Sequence, residues 1–131
     1  MPDPSSVGLW HSLTFRDADA MIGWLTSLGF IEHAVYRDDS DPTNVMHAEL
    51  LWPFGGGVMC GSFRDRPDWP KQPGTGAAYL ITDDVDAAFA RAVEAGATAL
   101  RPPRDADYGG RGASIADPEG NLWSLGTYQG A

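Results

Sequence analysis

The chain contains an internal repeat, and this repeat constrains the fold more than any other feature of the sequence. The segment Asp17-Ala18-Asp19-Ala20-Met21 aligns without a gap with Asp84-Val85-Asp86-Ala87-Ala88, 67 positions later. Each copy continues through an apolar helical pattern to a glycine, Gly29 or Gly96, twelve residues after its first aspartate. Two like modules placed side by side usually leave a cleft between them, so we expect the functional site in such a cleft.

The hydrophobic periodicity predicts the same element order, β-α-β-β-β, in both copies. In the first copy, an alternating strand precedes a helix that Asp17 or Asp19 caps and Gly29 ends. In the second copy the helix ends at Gly96, and Pro102-Pro103 is expected to end the strand that follows. The predicted fold is therefore α+β: two tandem βαβββ modules form a curved, cleft-enclosing mixed sheet, with one main helix per module on the outside. We expect one domain over residues 1–131, with module 1 at about 7–63, a Pro-rich linker at 64–75 and module 2 at about 76–128.

Charge and cysteine content limit the functions to be considered. With 18 acidic and 9 basic residues the net charge is -9, which disfavours nucleic acid or an anionic membrane as a partner. An acidic surface favours cationic ligands, although negative charge also serves simply to keep a protein soluble. Cys60 is the one cysteine, so an internal disulfide is excluded, and the first residues have neither the basic nor the apolar segment of a secretory signal. These features predict a cytoplasmic protein.

Several motifs carry a resemblance to a known family. The marks are Asp117-Pro118-Glu119-Gly120-Asn121-Leu122-Trp123, the two Asp-to-Gly helix frames, His47-Ala48-Glu49-Leu50 and Tyr108-Gly109-Gly110-Arg111. From Val7 to Tyr128 the chain resembles the vicinal oxygen chelate superfamily of glyoxalase, bleomycin resistance protein and extradiol dioxygenase, and within it the bleomycin-resistance-like subgroup. That fold hosts isomerases, dioxygenases, transferases and non-catalytic binders, so the resemblance implies a fold before it implies a function.

The resemblance also implies where a metal would bind. Enzymes of the superfamily take one ligand from the first and one from the last strand of each module, and these positions carry over to Trp10, Cys60, Ala77 and Ser124. Such a set is a poor one for a hard divalent ion, because alanine has no donor atom and tryptophan only donates. A one-residue slip would bring His11 to the first position; otherwise His11 points to the opposite face. We therefore predict neither a metal nor another cofactor, with one divalent metal as the alternative.

Aromatic residues suggest a different kind of site. Trp10 and Tyr79 are predicted on the cleft side of their strands, with Trp52 and Trp69 at the rim, where they would stack against a flat ligand. Trp24 and Trp123 are predicted in the core. The remaining candidate ligand-binding residues are Glu49, Cys60, Tyr108, Arg111 and Ser124. Two alternatives stay open: Tyr108 and Arg111 could instead cap the loop beside them, and His47 with Glu49 could form a cleft pair or a cross-strand hydrogen bond.

These observations favour a metal-independent small-molecule binding protein. It would resemble the bleomycin-type proteins that sequester an antibiotic without a reaction, and its ligand would be an aromatic and/or cationic natural product. The alternative is a divalent-metal-dependent enzyme of the glyoxalase or dioxygenase type, with His11 and Glu49 as ligands and a substrate with vicinal oxygens. A third possibility is a regulatory domain whose Trp-lined face binds a protein. By resemblance we also expect a homodimer.

Overall fold

Each copy of the repeat folds into a four-stranded mixed sheet with one helix on one face. A computed structural model describes residues 3–107 and 109–131. After a short 3-10 turn at Pro4–Ser6, module 1 contains β1 (Trp10–Phe15), α1 (Ala18–Leu28), β2 (Ile31–Asp38), β3 (Asp41–Leu51) and β4 (Gly57–Ser62). Module 2 contains β5 (Ala77–Ile81), α2 (Val85–Glu94), β6 (Thr98–Asp105), β7 (Arg111–Ala116) and β8 (Leu122–Gly126).

The two sheets have the same topology. Their strand orders are β1-β4-β3-β2 and β5-β8-β7-β6. In each sheet the first strand of the module runs parallel to the last, and the remaining pairs are antiparallel. The predicted α+β class, the duplicated module and the single main helix per module are therefore confirmed.

Both helices begin and end where the repeat predicts. Asp17 accepts a hydrogen bond from the backbone N–H of the third residue beyond it at 3.1 Å, and Asp84 does the same at 3.0 Å. Each carboxylate therefore satisfies a backbone N–H that has no partner within the helix. Gly29 and Gly96 follow the two helices with φ values of 135° and 121°, a conformation that glycine adopts at little cost.

One hydrophobic core joins the modules. It contains the helix-facing side chains of both sheets and both helices, and Trp24 and Trp123 belong to it as predicted. Two tryptophans also bond across the module boundary: Trp24 Nε1 donates to the Ala92 carbonyl at 3.1 Å, and Trp52 Nε1 donates to the Ile81 carbonyl at 2.8 Å. Because side chains fill the space between the modules, the expected cleft takes another form, which is a hollow on the outer face of each sheet.

The motif at 117–123 builds the turn between β7 and β8. The Asp117 carboxylate is 4% exposed and accepts four hydrogen bonds of 2.9–3.0 Å, from Glu119 N, Asn121 N, Asn121 Nδ2 and Trp123 Nε1. Asn121 Oδ1 then accepts from the Gly76 N–H at 2.9 Å, just before β5 begins. One turn therefore connects three strands of its sheet.

The same turn holds the other module. Glu119 accepts hydrogen bonds from the backbone N–H groups of Arg16 and Asp17 at 2.6 and 2.7 Å, at the start of α1. A carboxylate at this point satisfies free donors and opposes the positive end of the helix.

The sequence interpretation of β6 was wrong at one point. Pro102-Pro103 does not end the strand, which continues to Asp105. The reason is that β6 lies at the edge of its sheet. A proline has no backbone N–H, but on the solvent side of an edge strand no neighbouring strand needs that donor. The pairing with β7 shifts on both sides of Arg101, so the proline segment forms a bulge rather than a break.

Within the described residues, no helix has the length and apolar character that crossing a membrane requires.

Asp117→Asn should lower the free energy of unfolding by about 3 kcal/mol. The substitution removes the charge of the acceptor, and the new amide NH2 group would face N–H donors that the carboxylate now accepts from. Urea denaturation followed by tryptophan fluorescence and by circular dichroism measures this loss. The matched control is Asp83→Asn, on an exposed carboxylate one residue before the α2 cap. An equal loss in both variants would contradict the role of the turn.

His11 should make the module interface sensitive to acid. Its ring packs edge-on against Trp123 with 5.5 Å between centroids, and its Nε2 is buried without a hydrogen-bond partner among the described residues. Burial, and secondarily the charge of Lys71, lower the pKa of His11 in the folded protein. The unfolded chain therefore binds the proton more readily, so stability is complete above about pH 6.5 and falls as the pH drops below that value.

The measurement is the midpoint of urea unfolding at pH 7 and at pH 5. His11→Phe keeps a ring against Trp123 and removes the titrating group, so the difference between the two midpoints should shrink. The exposed residue His33 offers the control, His33→Gln, which should leave the difference as it is in the parent protein. An unchanged difference in His11→Phe would show that another group causes the acid sensitivity.

Candidate ligand-binding site

Each sheet carries an open hollow on the face away from its helix. The hollow of module 1, here hollow 1, has a volume of about 360 Å³, and that of module 2, hollow 2, about 380 Å³. Hollow 1 is lined by Ser12, Leu13, Thr14, Met46, His47, Met59, Cys60, Gly61, Ser62, Arg64, Arg66, Trp69 and Lys71. Hollow 2 is lined by Tyr79, Arg101, Pro102, Arg104, Asp105, Ala106, Asp107, Gly112, Ala113, Ser114, Ser124 and Leu125.

Strand alternation explains what faces hollow 1. Leu13 and Phe15 are buried on the helix side of β1, so Ser12 and Thr14 point to the outer face. His47 and Glu49 lie two residues apart on β3 and form a hydrogen bond of 2.8 Å from His47 Nε2 to Glu49 Oε2. Tyr36 stacks on His47 with 6.3 Å between ring centroids. The pair predicted on one face of this strand is therefore present, and His47 brings it to the edge of the hollow.

Hollow 2 has serine hydroxyls at the strand positions where the outer face of module 1 has the Met59 thioether and the Glu49 carboxylate. Ser124 pairs in register with Tyr79 and Ser114, and the two serine hydroxyls lie 2.9 Å apart. The Tyr79 ring lies over Gly126, where any side chain would collide with it, and its hydroxyl donates to the Tyr128 carbonyl at 2.8 Å. Tyr79 thus forms part of the floor of the hollow.

The bulge in β6 places two arginines in hollow 2. In a regular strand, residues three apart point to opposite faces. Arg101 pairs with Ser114 and Arg104 with Gly112, so three steps along β6 correspond to two along β7. The extra residue restores both arginines to one face, and both line hollow 2.

Besides Glu49, four of the predicted ligand-binding residues lie on the outer faces or line a hollow, but not in one place. Trp69 is 59% exposed and lines hollow 1, whereas Tyr79 and Ser124 line hollow 2. Trp10 lies on the outer face of β1 with its ring against Gly57 on the neighbouring strand. The candidates divide between two hollows, because the modules share a core instead of enclosing one cleft.

Two other candidates, Trp52 and Cys60, have structural contacts that the sequence did not reveal. Trp52 is not at a rim: it is 5% exposed, packed on Phe30 at 4.9 Å and bonded to the other module. Cys60 borders hollow 1, but its side chain is 5% exposed in the core, and burial raises the pKa of its thiol to about 12. Met59 offers its side chain to the outer face instead.

The contacts of Arg111 agree with the alternative that it caps the loop beside it instead of binding a ligand. Its guanidinium forms a two-pronged ion pair with Asp86 on α2, at 2.7 and 2.9 Å, and a further bond to Asp105 at 3.2 Å. These contacts raise the pKa of Arg111 and lower that of Asp86. Arg111 therefore joins β6, β7 and α2. Tyr108, the other residue of this prediction, lies outside the described residues.

The residues present do not fit a metal centre. Two equivalent rows cross the outer faces: Ser12, Met59 and Glu49 in module 1, and Tyr79, Ser124 and Ser114 in module 2. These rows offer hydroxyls, a thioether and one carboxylate that already bonds His47, which is a poor donor set for a divalent ion. Among the described residues, no three His, Cys, Asp or Glu side chains converge.

The alternative ligand pair is also separated. His11 points into the core against Trp123, as the strand phase predicts, whereas Glu49 lies on the outer face of its sheet. The proposed metalloenzyme site with these two ligands therefore does not form in this arrangement.

Charge is distributed unevenly between the hollows and the rest of the surface. Of the 9 basic residues, five line the hollows: Arg64, Arg66, Lys71, Arg101 and Arg104. Asp and Glu are absent from the lining of hollow 1 in the described part of the chain. The lining of hollow 2 holds Asp105 and Asp107 beside its two arginines. The net charge of -9 therefore does not describe hollow 1.

Comparison with known proteins agrees with the fold. The crystal structure of TioX from Micromonospora sp. ML1 is 28% identical, with a TM-score of 0.70 over 91% of this chain and 98% of that one. A superfamily member from Sphaerobacter thermophilus DSM 20745 is 26% identical, with a TM-score of 0.61 over 92% of this chain and 97% of that one.

A curated relative from Mycobacterium tuberculosis matches a shorter segment. It is 48% identical over 48 residues, which are 37% of this chain and 28% of that protein. The chain thus spans less than a third of that relative. The sequence model of the Glyoxalase/Bleomycin resistance protein/Dioxygenase superfamily, in contrast, matches residues 9–125. Since this match covers nearly all of both modules, the chain belongs to the Glyoxalase/Bleomycin resistance protein/Dioxygenase superfamily.

Proposed function

We propose that this protein binds an aromatic small molecule, of the natural-product type, in its hollows without a metal and without a reaction. The observation that carries the proposal is the pair of open hollows of about 360 and 380 Å³, a size at which proteins hold small ligands. Their linings combine apolar atoms with a few hydroxyl and cationic groups, which suits orientation of a flat ligand.

Trp69 supports an aromatic ligand in hollow 1. It is 59% exposed, whereas Trp24, Trp52 and Trp123 are buried. An exposed tryptophan beside a concave surface gains apolar contact when a flat molecule stacks on it. Met46 and Met59 extend the apolar part of the same lining, and their flexible side chains can adapt to the shape of a ligand.

The chemistry of the site favours binding over catalysis. Cys60 has a raised pKa and a buried thiol, which is the opposite of an activated nucleophile. A metal-dependent reaction on vicinal oxygens needs several ligands at one point, and His11 and Glu49 lie on opposite sides of the first sheet. The superfamily includes bleomycin resistance proteins, so a sequestering role is compatible with membership in it.

We also propose a cytoplasmic location, with which a single, buried cysteine and hence a fold without an internal disulfide is compatible.

The test is a titration of the metal-stripped protein with N-phenyl-1-naphthylamine, a neutral aromatic probe whose fluorescence rises in apolar sites. We expect saturable binding that EDTA does not change, and Trp69→Ala should weaken it by about tenfold through the lost stacking area. Phe54→Ala removes an exposed aromatic that does not line either hollow, and it should have no effect. Binding that is absent, or that needs an added divalent ion, would contradict the proposal.

We further propose a homodimer in which apolar surface of the outer faces is covered. Leu9 is 80% exposed, and Leu100 and Leu122 are also exposed, although each lies in or beside a strand. Burial of these side chains against a second copy of the chain would remove apolar surface from water and stabilise a dimer. Sedimentation velocity at micromolar concentration should give a dimer, and Leu122→Lys should shift it to monomer. A monomer in the parent protein would contradict this assembly and leave both hollows open to solvent.

A further inference from the structure

The cations of this protein fall into two groups. Outside the hollows, Arg16, Arg37 and Arg111 each form an ion pair, with Glu119 at 3.9 Å, Asp19 at 2.7 Å and Asp86 at 2.7 Å respectively. Arg91 donates to the Leu28 carbonyl at 3.1 Å and thereby joins the two helices. These side chains have structural partners.

The cations in hollow 1 are different. Arg64 and Lys71 in hollow 1 have no carboxylate within 4.0 Å among residues 3–107 and 109–131, and Arg64 donates to the thioether of Met46. Arg66 has one such carboxylate, the exposed Asp68 at 3.4 Å. Hollow 2 differs, because Asp105 and Asp107 line it together with Arg101 and Arg104. Hollow 1 thus gathers three cations, Arg64, Arg66 and Lys71, in a lining without Asp or Glu among the described residues. Such a concave surface favours the binding of an anion from outside.

We propose that the ligand is an aromatic acid: a flat molecule with a carboxylate, sulfonate or phosphate group that Arg64 and Lys71 hold while its ring stacks on Trp69. This inference rests on the proposed binding function and adds the charge of the ligand to it.

The physical basis is the combination of shape and charge. A concave wall excludes part of the surrounding water, so cations inside it attract an anion more strongly than cations on a convex surface do. Arginine presents parallel N–H donors that fit a planar or tetrahedral acid, and lysine adds a mobile point charge. The aromatic and thioether groups of hollow 1 provide the apolar contact. The acidic exterior repels anions at other places, so it directs them to the hollows.

Two probes with the same ring system test the inference directly. 8-Anilino-1-naphthalenesulfonate carries a sulfonate that N-phenyl-1-naphthylamine lacks. We expect the sulfonate to bind at least tenfold more tightly at low salt, and this advantage should decline as sodium chloride screens the charges. Arg64→Gln with Lys71→Gln should weaken the sulfonate by about tenfold or more and leave the neutral probe within about twofold.

The matched control removes two charges outside the hollows, Arg16→Gln with Arg37→Gln, and should change neither affinity. Competition then identifies the acid: displacement of the sulfonate by 1-naphthoate or by 1-naphthyl phosphate supports the proposal and ranks the two groups, whereas displacement by 1-naphthol alone overturns it.

Different outcomes of these titrations would overturn the preference for an acid and the binding function. Equal affinity for both probes, with both weakened by Trp69→Ala, would retain the binding site and overturn the preference for an acid. Equal loss in the hollow and control double variants would overturn it as well, because it would assign the effect to net charge. Absence of binding by either probe would overturn the binding function itself.

Discussion

The buried carboxylate of Asp117 is the interaction on which most of the architecture depends. Its four hydrogen bonds shape the turn between β7 and β8, and Asn121 in that turn holds the start of β5 through Gly76. Glu119, in the same turn, holds the start of α1 in the other module. A buried charge is costly unless every acceptor is used, and here every donor comes from an element that must be in place. The turn thus couples strand pairing to the docking of the modules.

Docking of the modules determines where a ligand can bind. Since both helices and both helix-facing sheet surfaces enter one core, the outer faces remain as the available concave surfaces. The repeat places equivalent rows across them, but the rows differ in chemistry: Ser12, Met59 and Glu49 in one, and Tyr79, Ser124 and Ser114 in the other. The fold is duplicated, and the two surfaces have diverged.

Local signals in the sequence predicted the fold well, since caps, closing glycines and strand alternation act over a few residues. The phase of β1 placed His11 on the face opposite Trp10, and the structure has its partly buried ring against Trp123. Contacts between distant segments could not be predicted in this way, because no local pattern specifies them. The partner of Trp52 belongs to the other module, and that of Arg111 to a helix 25 residues away in sequence. A tryptophan is equally suited to a pocket rim and to a module boundary, so the residue type of Trp52 could not decide between them.

The distribution of charge could not be predicted from the total. The net charge of -9 favoured a cationic ligand in the sequence analysis, whereas the hollows hold five of the 9 basic residues. Two of these, Arg101 and Arg104, face one hollow because Pro102-Pro103 lies at a sheet edge and forms a bulge there. Spacing alone would place them on opposite faces. The prolines therefore shape hollow 2 through strand register: they donate no ladder hydrogen bond, but their bulge turns Arg101 and Arg104 toward the same surface.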